Sequence, residues 1–114
     1  MRRRMNLSLK FIILLSILLL QGCDNPLPPS KMSFEGVWRS ENMAIMITRQ
    51  GQVSYKKQDG NVSTSINGPI KQFTKDGFTV GFAFLTSEFV VNKKPLEVEG
   101  QWKMTIDGVE LIRD

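Results

Sequence analysis

The residues able to do chemistry in this 114-residue chain are few, and the missing types exclude as much as the present ones suggest. There is one cysteine, Cys23, and no histidine. A lone thiol forms no intramolecular disulfide. Without imidazole, the usual general base of serine and cysteine hydrolases and the commonest zinc ligand are both missing. The best pair of carboxylates is Glu97 and Glu99. Two residues apart on a strand, they would share a face at roughly 7 Å, a spacing within the range that lets an inverting glycosidase seat a water between acid and base. The same alternation describes a solvated strand face, and the flanking sequence offers neither a metal-ligand cluster nor an aromatic platform. The expectation is a surface pair in a protein that is not an enzyme and that carries no cofactor or metal.

The remaining candidates are weaker. Lys56-Lys57 and Lys93-Lys94 are strand-end lysines able to meet anionic headgroups if the domain is held near a membrane. Met43, Met46 and Met104 read as adaptable core filler. The formal net charge of +4 suggests a nucleic-acid partner until its distribution is considered. Four of the fifteen basic residues, Arg2, Arg3, Arg4 and Lys10, lie before residue 23, and the basic residues left equal the eleven acidic ones. A neutral domain has no field with which to gather phosphates, so no nucleic acid is expected.

Residues 1–22 have the order of a secretory signal: a basic start at Arg2-Arg3-Arg4, an apolar run from Phe11 to Leu20, and a small-residue exit at Gly22. From Phe11 to Gly22 a helix would span roughly 18 Å, well short of the about 30 Å of hydrocarbon that a transmembrane segment must cross. Lys10 and Asp24 close the run at either side. Leu20-Gln21-Gly22-Cys23 resembles the lipobox of bacterial lipoproteins, in which an apolar, a variable and a small residue precede an obligatory cysteine. That resemblance implies a diacylglyceryl thioether on Cys23, cleavage just before it, and further acylation, with palmitate or a similar chain, of the amine set free. The mature protein would then be held to a membrane in the bacterial envelope by its acyl chains. Asp24 followed by Asn25 resembles the inner-membrane retention signal of Gram-negative lipoproteins. This implies the periplasmic face of the inner membrane, with the outer membrane as the alternative in a host that sorts by another rule.

Between the anchor and the domain, residues 23–33 contain Pro26, Pro28 and Pro29. Proline fixes φ and removes amide donors, so the segment is expected to be an extended spacer that holds the domain roughly 20 Å from the lipid at about 3.1 Å per residue. Residues 34–114 alternate short apolar segments with turn pairs: Gln50-Gly51, Asp59-Gly60, Asn67-Gly68, Asp76-Gly77 and Asp107-Gly108. The longest alternation places Leu96, Val98, Gly100, Trp102, Met104 and Ile106 on one face, reading as a single strand. Phe78, Val80, Phe82 and Phe84 repeat it, with the small residues Gly81 and Ala83 opposite. Further strands are expected at 37–39, 43–48, 53–57, 62–66, 70–73, 88–92 and 109–112. The fold class is therefore all-β: a small antiparallel meander of about seven to nine strands, closed as a barrel or folded sandwich so that its edges are protected.

Within it, Phe34-Glu35-Gly36-Val37-Trp38 resembles the Gly-x-Trp that opens the first strand of lipocalins, barrels that carry small apolar ligands. The resemblance implies that Trp38 packs at the closed end of the barrel beneath an arginine from the last strand, a part that falls to Arg113. The interior of a barrel this small is expected to be filled by side chains. The functional expectation is a membrane-anchored, non-enzymatic binding or accessory module that works through contact with an envelope protein. The alternatives are a lipocalin-like carrier and a hydrolase using Glu97 and Glu99.

Overall fold

The computed structural model describes residues 25–114, so the leader, Cys23 and Asp24 lie outside the described residues. Eight strands follow one another around a closed antiparallel barrel: β1 (Gly36–Arg39), β2 (Met43–Ile47), β3 (Gln52–Asp59), β4 (Val62–Phe73), β5 (Gly77–Phe82), β6 (Leu85–Val98), β7 (Gln101–Ile106) and β8 (Val109–Arg113). Every sequential pair is hydrogen-bonded, and β8 returns to β1 with Trp38 opposite Arg113 and Arg39 opposite Ile112. The closing seam is short. Asp114 extends it, donating its backbone N–H to Val37 at 2.9 Å and accepting Arg39 Nε on its carboxylate at 2.7 Å.

The alternation of β2 shows why these sequences form strands and close. Met43, Ile45 and Ile47 point inward and are buried, while Met46 faces out. Val53 and Tyr55 of β3, Phe78 and Val80 of β5, Phe89 of β6, Met104 and Ile106 of β7 and Leu111 of β8 complete the interior. Phe78 stacks on Phe89 with ring centroids 5.3 Å apart, and Phe89 meets the edge of Tyr55 at 5.0 Å. Phe34 joins the row from outside the sheet, 5.5 Å from Phe73 and 6.2 Å from Phe78. No polar side chain is buried among the described residues, so burial and ring packing rather than an internal hydrogen-bond network hold the core.

Four details differ from the sequence-based expectation. The first concerns the proline segment, whose described part packs on the barrel. Leu27 is buried and donates its N–H to Arg49 at 2.9 Å, Asn25 Nδ2 donates to the Ile70 carbonyl at 2.7 Å, and Pro29–Phe34 is a 3₁₀ turn. Proline at the start of that turn needs no donor, and the apolar side chains of Leu27 and Phe34 are worth more buried than spread in water. A spacer of roughly 20 Å is therefore not formed by these residues.

Second, Asn67-Gly68 is not a turn but lies inside β4, paired with Ser54 and Val53 of β3. A β-carbon on Gly68 would stand 3.5 Å from Val80 and 3.6 Å from Gly81, an ordinary contact, so neither crowding nor a positive φ requires glycine there. Third, the long alternation from Leu96 to Ile106 is two strands joined by a turn at Glu99-Gly100, with φ of 53° and 79°. Fourth, β5 ends at Phe82, so Phe84 lies in a turn rather than on the core face. β4 and β6 are the long strands, and both bend at register shifts, between Ile70 and Gln72 and between Val91 and Leu96. Those bulges let each strand pair with one neighbour at its start and another at its end, which a small barrel requires.

Candidate functional site

Trp38 and Arg113 are neighbours across the β1–β8 seam, and the arginine lies between two indoles. Its guanidinium carbon is 5.6 Å from the Trp38 ring centroid and 4.7 Å from that of Trp102. The Trp38 indole N–H donates to the Phe34 carbonyl at 2.9 Å, which ties the 3₁₀ turn to the barrel floor. Arg113 Nη1 reaches the Glu35 carbonyl at 3.4 Å. Gly36 has a φ of 136°, and a β-carbon there would lie 2.6 Å from Arg113 Cδ, so the glycine makes room for the arginine stem. The Gly-x-Trp spacing thus has a local reason: one position must be empty so that an arginine can cover the tryptophan two residues on. Trp102 as the second wall was not anticipated, because its strand was read as continuous with β6. Trp38 is buried and Trp102 and Arg113 are half-buried, with the Trp38 N–H and Arg113 Nη1 both turned to backbone carbonyls of the segment before β1.

Glu97 and Glu99 do not form the pair that acid–base catalysis needs. Glu97 is on β6 opposite Trp102, while Glu99 stands in the turn, and both are exposed. Among the described residues no group of histidine, cysteine, aspartate and glutamate is arranged to hold a metal. One titratable group in the core is perturbed: burial raises the Tyr55 phenol above its ordinary value of 10.0, and the Asp107 carboxylate adds to the effect.

What the fold leaves open is its outer wall. A two-residue turn pairs Val98 with Gln101 and Leu96 with Lys103, so the even-numbered side chains before the turn share a face with the odd-numbered ones after it. Trp102, Met104 and Ile106 go inward, and Leu96 and Val98 are left outside at 63% and 43% exposure. They line a groove of about 610 Å³ where β6 bends away from β7, with Pro95, Lys93, Lys94 and Lys103 around it. Lys56 and Lys57 line a smaller concavity of about 270 Å³ at the rim. At the β5–β6 hairpin the exposed apolar surface is more concentrated still. Phe82, Phe84 and Leu85 are 64%, 88% and 72% exposed around Ala83, whose φ is 49°. Lys71 Nζ donates to the Ala83 carbonyl at 2.8 Å. Parity misplaced these residues as well: the alternation from Phe78 runs into the turn without a break. With the geometry in hand, no protein-family model, curated protein or solved structure matches the chain significantly.

Proposed function

We propose that the chain is a bacterial envelope lipoprotein, anchored through acyl chains on Cys23, whose barrel acts by contact with another envelope protein and catalyses no reaction. The observation that carries the reading is the β6–β7 outer wall. Leu96 and Val98 are held in water beside a lysine-flanked groove of about 610 Å³ while the interior is packed with side chains. A rigid apolar centre with a charged rim is the anatomy of a protein interface.

The test is a photo-crosslinking side chain at position 96 in cells carrying the native envelope. A discrete adduct is expected, lost on Val98→Asp and absent when the probe stands at position 46, on the exposed face of β2. No adduct from position 96, or the same adducts from position 46, overturns the contact surface. The mass of the N-terminal peptide tests the anchor separately. A lipocalin-like carrier is the second reading, favoured by the closed eight-stranded barrel with Arg113 over Trp38. It requires saturable binding of a fluorescent fatty-acid analogue, and an interior filled by Phe78, Phe89 and Tyr55 must open to admit one.

A further inference from the structure

We propose that the tip of the β5–β6 hairpin enters the bilayer beside the lipid anchor, so that the barrel rests on the membrane in one orientation. The inference depends on the acylation of Cys23 proposed above. Three observations meet at this tip. The first is composition: between Asp76 and Glu88 the chain carries no charge, and Phe82, Phe84 and Leu85 are offered to solvent together. Large apolar side chains clustered at the end of a hairpin match the hydrocarbon boundary, where no partner need be shaped around them. The tip is also tightly built. Gly81 has a φ of 134°, and a β-carbon on it would meet the Leu85 carbonyl across the hairpin.

The second observation is a cation at its apex, on the turn itself. Lys71 lays its stem along the hairpin with Nζ on the Ala83 carbonyl. An ammonium held on the turn among exposed apolar side chains would meet the phosphate layer as the rings enter the boundary, so insertion would be shallow.

The third is where the described chain begins. Asn25 Nδ2 is 2.7 Å from the Ile70 carbonyl and 3.4 Å from that of Lys71, the residue whose side chain holds the tip. Cys23 precedes Asn25 by two residues, a reach of at most about 7 Å. An acylated Cys23 would therefore lie within that reach of Asn25, which is bonded to the strand that carries Lys71. An anchor and an insertion loop on the same side of a rigid barrel define its orientation, which neither does alone. The Leu96–Val98 groove, on the wall toward β7, stays clear for a partner.

The test uses the mature acylated protein, extracted from membranes and reconstituted in phosphatidylethanolamine–phosphatidylglycerol vesicles. With Cys23 blocked as a thioether, Phe84→Cys and Glu110→Cys each provide one free thiol for an environment-sensitive fluorophore. Both positions are exposed, and β8 lies across the barrel from β4. The label at 84 is expected to be quenched by doxyl groups on the lipid chains and shielded several-fold from aqueous iodide relative to the label at 110. With Cys23 shown by mass to be acylated, a label at 84 as open to iodide as that at 110 overturns tip insertion and leaves the anchor standing. Shielding from iodide without quenching by the lipid doxyl groups means that a second copy covers the tip, and also overturns it. An unacylated Cys23 overturns the anchor and this inference with it.

Discussion

Single residues in this barrel carry their effects through space and protonation. Gly36→Ala is expected to cost about 1–3 kcal/mol, since it combines a strained φ with a collision against the Arg113 stem. Gly100→Ala, with φ of 79° and no neighbour within 4 Å, meets only the backbone penalty, about 1–2 kcal/mol. Urea unfolding of the two variants separates the terms: the excess at Gly36 should shrink when Arg113 is shortened to Ala. Tyr55 makes a pH prediction. Its folded pKa is raised above 10.0, so the folded state holds the proton more tightly than the unfolded one. The resulting stability is present in full below the unfolded value and is lost as pH rises from there through the folded value. The diagnostic is the difference between variants: above pH 10.0 the loss of stability with pH should be shallower in Tyr55→Phe than in the parent.

At the level of elements, a turn of two residues decides which side chains are core. The segment Leu96–Ile106 keeps an unbroken period of two in sequence, but the chain reverses at Glu99-Gly100 and the inward set changes parity there. Leu96→Ser should accordingly leave stability within about 0.5 kcal/mol, whereas Met104→Ala, on the same sequence parity and fully buried, should cost about 2–5 kcal/mol. Equal losses at the two positions would mean that β6 and β7 are one strand. This marks a limit of legibility. Strand type was readable throughout the domain because alternation and Asp-Gly pairs report local backbone preference. Asn67-Gly68 and Glu99-Gly100 were assigned the wrong way round because glycine stands both in a turn that needs positive φ, as at Gly100, and in a strand that does not, as at Gly68. The carboxylate pair failed for the same reason: Glu97 and Glu99 share a face only if no turn stands between them.

Over the whole molecule, closure rests on the segment that precedes the first strand. Phe34 joins the aromatic row, its carbonyl accepts the Trp38 indole, and Leu27 covers the barrel beside the β2–β3 turn. Phe34→Ala is expected to cost about 3–5 kcal/mol, to be measured by thermal and urea unfolding of the anchored protein in detergent. A loss near zero would mean that the 3₁₀ turn is an appendage.

The sequence by itself determined the all-β class, the near-even spacing of strands, the absence of imidazole and of a second thiol, and the reading of residues 1–23 as leader and lipid attachment, which remains a proposal. Arg113 against Trp38 was implied only by the lipocalin-like Gly-x-Trp, and the structure brings the two side chains together. Only the tertiary structure decided that the strands number eight and close, that Leu27 and Phe34 belong to the core, and that Leu96, Val98, Phe82 and Phe84 face water. The physical reason is that local preference fixes whether a residue is extended or turning, while which face is inside depends on where the chain reverses and on what packs against it afterwards.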